Sequence, residues 1–296
     1  MRTNYHDLSG GQSDIAAHDF NRGALHSNSH MTMPNSSLAV KGLQMHRPSP
    51  LARVIGTIRC LPLPLLRVFL KRRVGRLVME RAGDLRLVIL PEVFNPTIFR
   101  SSLWFAAIIR KFAQQGCASP TGEFGSPIMG AEGRVRSGLS VLDLGTGSGI
   151  LALVGAQLGC RVVAVDINPA AVRCARINAL MNNLHEAIDV RDGDLFVPVT
   201  GEQFDLVLFN PPFFRGSPKS QLDRAWRAHD VLERFASGLP DALAPHGSAL
   251  IVFSANGDLD GLVRALLEAG LHVESIAERD WGNEVMVVLR ATKEEL

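Results

Sequence analysis

Residues 141–149 read VLDLGTGSG, an apolar run that contains one acid and passes directly into a glycine-rich turn. A helix-like apolar segment follows the turn. This order is typical of nucleotide-binding folds, because glycines allow a sharp bend and a close approach of the backbone to a ligand. The dinucleotide pattern G-x-G-x-x-G requires a third glycine at position 150, where this chain has Ile150. The turn therefore predicts a nucleotide-like ligand that is not a dinucleotide.

The spacing of the turn is D-x-G-x-G-x-G, with Asp143 as its acid and Gly145, Gly147 and Gly149 as its glycines. In this form the turn resembles that of class I S-adenosylmethionine-dependent methyltransferases. The resemblance implies S-adenosylmethionine as the cofactor. It also implies that the cofactor is bound at this turn, with Thr146 among its contacts.

Acidic residues also follow the next predicted strands. The strand at 161–165 stops at Asp166, about 20 residues beyond the glycine turn, where a carboxylate is placed to accept hydrogen bonds from both ribose hydroxyls. The following predicted strand runs into Asp194, which we expect to accept from the adenine amino group. Ile167 and Leu195 are the apolar neighbours of these acids, and we expect them to sandwich the adenine ring.

Each acid also has a purely structural explanation when it is taken alone. Asp166 could be a helix N-cap before Pro169, and Asp194 could be a plain turn residue. The repeated placement of such residues at successive strand ends favours a single ligand site over coincidence.

The next motif follows the predicted strand at 204–209 and reads Asn210-Pro211-Pro212-Phe213. It fits the Asp/Asn/Ser-Pro-Pro-Tyr/Phe/Trp pattern of methyltransferases that modify a planar nitrogen. The side-chain oxygen of Asn210 and the carbonyl of Pro211 are expected to accept the two N–H groups of such an acceptor, held in a turn that the prolines make rigid. Phe213 is expected to stack on the acceptor near the sulfonium. The motif predicts methyl transfer by alignment, without a metal or a strong base.

The stretch 141–212 closely resembles the HemK-like methyltransferases, which modify the amide nitrogen of a glutamine in polypeptide release factors. The matching segments read VLDLGTGSGILAL, AVDINPAAVRCARINA, GDLF and NPP. By this resemblance Gly145, Asp166, Asp194 and Asn210 carry contacts to the cofactor and to the substrate amide. The implied partner is a release-factor-like protein.

The chain departs from the bacterial members of this family in ways that leave other acceptors open. Those members carry a P-R-x-x-T-E-like element shortly before the first motif and Tyr after the two prolines. Here LPEVFNPTIF lies further upstream, and Phe213 replaces the Tyr. Phe occurs at this place in ribosomal RNA methyltransferases that act on adenine or guanine amino groups, so an RNA or DNA base is an alternative acceptor. A small-molecule acceptor and a catalytically silent scaffold are further alternatives.

Two aromatic residues outside the motifs are candidates for substrate contact. Phe94 lies between prolines in a loop that we expect either to cover the cofactor cleft or to be a simple linker, and Thr97 or Ser101 would there touch the methionine carboxylate. Trp226 is expected either to stack on a base or to pack against the sheet. The predicted substrate-binding residues are thus Asn210, Pro211, Pro212, Phe213, Phe94 and Trp226.

Alternating strands and helices predict an α/β fold with a Rossmann-like, doubly wound, seven-stranded sheet of the class I methyltransferase type. The final two strands are expected to give the sheet one antiparallel edge. A small N-terminal helical and strand extension is expected to precede it.

The composition of the sequence divides the chain into four regions. Residues 1–50 are rich in Ser, Asn, His and Gly and are predicted to be disordered. Residues 51–115 are predicted to form an accessory region with a basic amphipathic helix at 61–79, a strand and a loop over the cleft. Residues 116–138 are predicted to be a flexible linker, and residues 139–296 the methyltransferase domain.

Composition excludes several other classes. The 46% hydrophobic content of the 296 residues is ample for a buried core, and the net charge of +2 is too small to indicate nucleic-acid binding by itself. The Cys and His residues lack metal-ligand spacing, so no metal is expected, and no Ser has the context of a hydrolase nucleophile. Neither an apolar run long enough to span a bilayer nor a signal peptide is evident, which predicts a cytoplasmic protein.

Overall fold

The computed structural model describes residues 75–114, 138–220, 223–282 and 284–293. The predictions for residues 1–50, for the basic helix as far as Val74, and for nearly all of the linker at 116–138 lie outside the described residues. Val78 and Met79, which the predicted helix included, lie instead in a strand, so the end of that helix was predicted wrongly.

The described chain begins with an antiparallel hairpin and a helix. Strands β1 (Val78–Ala82) and β2 (Leu85–Ile89) form a separate two-stranded sheet, and helix α1 (Arg100–Gln114) follows. In β2 every second residue is buried, because successive side chains of a strand point to opposite faces. Strand β2 confirms the strand predicted for the accessory region, and α1 gives this extension helical structure.

The remaining strands, in chain order, are β3 (Ser140–Leu144), β4 (Arg161–Asp166), β5 (Ile188–Asp192), β6 (Phe204–Phe209), β7 (Phe214–Arg215), β8 (Arg227–Ala228), β9 (Leu243–Ser254), β10 (Leu271–Asp280) and β11 (Val285–Lys293). Seven of them form the central sheet in the order β10-β11-β9-β6-β3-β4-β5, and β7 pairs only with β8. The strand order reverses at β3, because β4 and β5 extend the sheet to one side and β6 and β9 to the other. The predicted seven-stranded doubly wound sheet is confirmed.

The antiparallel strand of this sheet is not at its edge. Strand β11 pairs antiparallel with both β9 and β10, so it lies second from the edge and β10 runs in the direction of the parallel strands. The expected antiparallel pairing of the final two strands at the sheet edge is confirmed. Their order was not predicted, because the last strand of the chain inserts between two earlier ones.

Helices cover the sheet on the two sides of the reversal. Helices α2 (Ile150–Gln157) and α3 (Pro169–Met181) pack around β4 and β5, with α1 against α2 and α3 also against β2. Helices α4 (Val231–Ala242) and α5 (Leu259–Glu268) pack together near β9 and β10. Helix α2 is apolar around its whole circumference and is buried along nearly its whole length, as expected for a helix enclosed by other elements.

Within the described ranges, no helix combines the length and the apolar character that crossing a membrane requires.

Candidate active site

A cavity of about 360 Å³ lies at the carboxyl ends of β3, β4 and β6. Ligands of doubly wound sheets bind at this place, because a crevice opens where the strand order reverses. Most of the predicted site residues line this cavity: Phe94, Gly145, Thr146, Gly147, Asp166, Ile167, Asp194, Leu195, Asn210, Pro211, Pro212, Phe213 and Trp226. The structure therefore brings together residues from four separate sequence motifs and the two aromatic residues predicted outside them.

Asp143 is not among the residues that line the cavity, and its expected contact with the cofactor is corrected to a role beneath the turn. Its side chain is completely buried, and Oδ2 accepts hydrogen bonds from Thr146 Oγ1 at 2.7 Å and from the N–H of Ala152 at 3.0 Å. Burial raises the pKa of Asp143 to about 7, although both hydrogen bonds lower it in part. Asp143 thus ties the turn to the first turn of α2.

Gly149 also lies behind the cavity wall, so its expected cofactor contact is corrected to a packing role. It caps α2 with a φ of 83°, a conformation that residues with a side chain rarely adopt. A Cβ at this position would lie 3.2 Å from the Cα of Ala175 in α3. The glycine therefore permits the close contact between the turn and α3.

Asp166 ends β4 with its carboxylate open to the cavity. Oδ2 accepts from the N–H of Gly147 and Oδ1 from the N–H of Asn168, both at 2.8 Å. Burial raises the pKa of Asp166, and these hydrogen bonds lower it in part. Each carboxylate oxygen has a second lone pair, so both can still accept from a ligand hydroxyl. The N-cap of α3 is Asn168, whose side chain accepts from the N–H of Ala170, and not Asp166.

Asp194 forms an ion pair with Arg234, which no local sequence pattern indicated. Its Oδ2 lies 2.5 Å from Arg234 Nη1, and Arg234 also reaches Asp230 at 3.3 Å. Oδ2 of Asp194 is thus engaged by Arg234, and Oδ1 is outside this contact and can accept from an adenine amino group. Leu195 beside it has a positive φ of 47°, which is uncommon for a residue with a side chain.

Asn210 is oriented by a serine of the N-terminal extension. Its Nδ2 donates to Ser102 Oγ at 3.0 Å, and Ser102 is buried in the first turn of α1. Because the amide nitrogen is used in this contact, Oδ1 is the atom of Asn210 that can accept an N–H from a substrate. Ser102 also lines the cavity, so α1 contributes directly to the site.

Phe213 forms a rigid part of the cavity wall. Its ring is largely buried and meets Phe253 edge to face, with 5.2 Å between the centroids. Its carbonyl accepts from the N–H of Asp258, which anchors the turn to the start of α5. The Asn-Pro-Pro-Phe turn is therefore fixed at both ends before any substrate binds.

An aromatic cluster forms one lip of the cavity. Phe94 stacks on Phe99 with centroids 4.6 Å apart, and Trp226 meets both rings edge to face at 5.1 and 4.5 Å. Trp226 thus packs against the loop before α1. Of the hydroxyls expected near the cofactor, Ser101 lines the cavity, whereas Thr97 Oγ1 donates to Asn95.

Sequence reasoning missed Ser102, Arg234, Asn168 and Phe99. Asn168 carried a usable signal, because Asn directly before Pro is a typical helix start. The contacts of Ser102 and Arg234 arise from helices that are distant in sequence, and no local pattern marks them. Among the described residues, no cluster of three His, Cys, Asp or Glu has a metal-binding arrangement.

The doubly wound sheet with strand-end acids and a glycine turn around one cavity defines a class I methyltransferase fold. Comparison with known proteins agrees: the family described as the methyltransferase small domain matches residues 125–279. The chain belongs to this methyltransferase small domain family, and it is an S-adenosylmethionine-dependent methyltransferase.

Relatives with different substrates match the chain about equally well. A protein of Methanocaldococcus jannaschii named for protein N5-glutamine methylation is 33% identical over 160 residues, which is 51% of this chain and 80% of that protein. The tRNA1(Val) (adenine(37)-N6)-methyltransferase of Phocaeicola vulgatus is 32% identical over 185 residues, which is 60% of this chain and 78% of that protein. The chain spans only 49% and 41% of two ribosomal protein L11 methyltransferases that it also matches.

A solved structure shares the fold. The 16S rRNA N2 G1207 methyltransferase of T. thermophilus, in complex with AdoMet and guanosine, has a TM-score of 0.55 and 23% sequence identity. The match covers 74% of this chain and 50% of that one.

Proposed function

We propose that this protein transfers the methyl group of S-adenosylmethionine to the side-chain amide nitrogen of a glutamine in a release-factor-like protein. The observation that carries the proposal is the orientation of Asn210 by Ser102 at the wall of the cofactor cavity. This orientation leaves Asn210 Oδ1 available to accept an N–H of the acceptor, beside the carbonyl of Pro211.

The residues that line the cavity suit the proposed cofactor. A volume of about 360 Å³ is within the range of small-molecule sites. Asp166 offers acceptors for the ribose hydroxyls, and Asp194 offers one for the adenine amino group. Ile167 and Leu195 offer apolar surface for the adenine ring. When bound, the cofactor supplies a methyl group on a positively charged sulfur, which is the electrophile of the reaction.

The protein's contribution to the rate is positioning. The lone pair of an amide nitrogen is delocalised into the carbonyl group, so this nitrogen is a weak nucleophile. Two acceptors, Asn210 Oδ1 and the Pro211 carbonyl, would fix both N–H bonds and direct the nitrogen toward the methyl group. The packing of Phe213 on Phe253 keeps this arrangement rigid, and alignment of this kind can supply roughly 7 to 11 kcal/mol of a reaction barrier.

A second candidate is methylation of an adenine amino group in RNA. The same two acceptors would hold an exocyclic amine, which is also planar and also carries two N–H bonds. The similarity to the Phocaeicola vulgatus tRNA methyltransferase and the aromatic lip of Phe94 and Trp226, on which a base could stack, support it. For either acceptor we propose a cytoplasmic reaction, because release factors and tRNAs act there.

Labelling identifies the acceptor. The protein is incubated with tritiated S-adenosylmethionine and cell extract, and separate portions are then treated with RNase or with protease. We expect the label to survive RNase and to appear as N5-methylglutamine after complete proteolysis. Label released by RNase in nucleotides that contain N6-methyladenosine would establish the second candidate instead. Asn210→Ala is the control, and label that persists with this variant would contradict the proposed role of the amide.

A further inference from the structure

Asn178 of helix α3 and Asn182, which caps the C-terminus of this helix, lie one helical turn apart and bind the open edge of β2. Asn182 accepts from the N–H of Arg86 at 3.0 Å and donates to its carbonyl at 2.8 Å. Asn178 does the same with Val88, at 2.7 and 2.9 Å. Arg86 and Val88 are two residues apart, so their backbone groups point to the same edge, the one that β1 does not cover. The two side chains thus replace a neighbouring strand and dock the hairpin on α3.

Only one of the two asparagines also reaches the glycine turn. Asn178 is completely buried, and its Nδ2 donates a second hydrogen bond to the carbonyl of Ser148 at 2.8 Å. Ser148 lies between Gly147 and Gly149 in the turn. The third partner of Asn182 is the carbonyl of Asn178, in the last turn of α3. Asn178 therefore connects the hairpin to the turn, whereas Asn182 connects the hairpin only to α3.

The position of the turn depends on this contact. Both N–H groups of the Asn178 amide and its oxygen are engaged, so the side chain has a single orientation. The carbonyl of Ser148 is held next to Gly147, whose N–H donates to the carboxylate of Asp166 at 2.8 Å. Loss of the Asn178 amide would leave buried backbone groups without partners and allow the turn to move.

We propose that Asn178 is a positioning residue that couples the docked N-terminal hairpin to the cofactor-binding turn. The affinity for the cofactor then depends on a segment that precedes the methyltransferase domain in the sequence. The inference rests on the proposed function in one respect, namely that the turn binds S-adenosylmethionine.

The test compares Asn178→Ser with Asn182→Ser, a matched pair that removes the same amide one helical turn apart. Binding of S-adenosylhomocysteine is measured by calorimetry, and hydrogen exchange of the peptide covering 144–150 is measured without ligand. We expect Asn178→Ser to raise the dissociation constant roughly 5- to 20-fold and to speed exchange in the turn. Asn182→Ser is expected to lower the melting temperature but to leave the dissociation constant and the exchange of the turn unchanged.

A second variant at position 178 keeps the test informative if Asn178→Ser does not fold. Asn178→Asp keeps the acceptor for the Val88 N–H and loses both donors, so it should also weaken ligand binding. If folded Asn178 variants bind the ligand as the unaltered protein does, or if both asparagine sites change the affinity equally, the positioning role is refuted. If the unaltered protein itself does not bind the ligand, the proposed function fails instead, and the two failures are distinguishable.

Discussion

Replacing Asp166 by Asn should weaken the binding of S-adenosylmethionine roughly 10- to 150-fold. In the structure the two carboxylate oxygens already accept the N–H groups of Gly147 and Asn168, and Asp166 lines the cavity. An amide keeps only one acceptor oxygen, so at least one charge-assisted hydrogen bond to the ribose is lost. Such a bond contributes roughly 1.5 to 3 kcal/mol, which corresponds to the stated range of dissociation constants.

The pH dependence of binding gives the same prediction a second readout. Because burial raises the pKa of Asp166, its carboxylate is protonated at a higher pH than an ordinary aspartate. The dissociation constant of the unaltered protein should therefore rise as the pH falls toward this pKa. Asp166→Asn has no charge to lose and should show a flatter profile, measured by calorimetry at a series of pH values.

Asp192→Asn is the matched control. Asp192 ends the neighbouring strand β5 in register with Asp166, is exposed and does not line the cavity. The Asp192→Asn substitution removes the same charge, and we expect it to change the affinity for S-adenosylmethionine by no more than about twofold. An unchanged dissociation constant for Asp166→Asn, or an equal loss in both variants, would refute the role assigned to Asp166.

Other predictions concern the neighbouring contacts. Ser102→Ala removes the acceptor for Asn210 Nδ2 and should lower kcat roughly 2- to 12-fold without changing cofactor affinity, while Ser102→Thr should restore kcat. Arg234→Ala frees the carboxylate of Asp194, and calorimetry should show a rise in the cofactor dissociation constant of about 1.5- to 5-fold that shrinks at high salt. The pKa of Asp143 is raised from 3.8 to about 7. Between these two pH values the folded protein keeps a proton on Asp143 that the unfolded chain has lost. The free energy of unfolding should therefore fall as the pH rises from about 4 to 7, by up to roughly 1.4 kcal/mol per pH unit, and urea titrations of Asp143→Asn should show a flatter dependence.

For each of these predictions, one result would contradict the role assigned to the residue. A fall in cofactor affinity with unchanged kcat in Ser102→Ala would place the serine in the cofactor site. Tighter cofactor binding by Arg234→Ala would mean that the arginine competes with the ligand for Asp194. An unchanged pH slope in Asp143→Asn would show that the buried acid remains ionised throughout.

The cofactor side of the site was predictable because local sequence determines it. Strands β4 and β6 are short apolar runs, and the polar residue that ends each run necessarily lies at the carboxyl edge of the sheet. Asp166 and Asn210 therefore lie in the cavity as predicted. Asp143 does not follow this logic, because its side chain points into the interior beneath the turn that begins two residues later.

Contacts between distant elements were not predictable from local patterns. Ser102 belongs to an ordinary amphipathic helix, and only the packing of α1 against α2 brings it to Asn210. The insertion of β11 between β9 and β10 is likewise a property of the whole sheet, because the order of strands in the chain does not give their order in space. Val78 and Met79 were assigned to a helix because their apolar character continues that of the preceding segment, and pairing with β2 decides otherwise.

Single-turnover methyl transfer by Asn210→Ala, with cofactor binding measured in parallel by calorimetry, shows whether Asn210 acts on the acceptor or on the cofactor. We expect transfer to the acceptor to be lost while the dissociation constant of S-adenosylmethionine stays within a few-fold of that of the unaltered protein. Loss of cofactor binding together with surviving transfer at saturating cofactor would contradict the assignment of Asn210 to the acceptor.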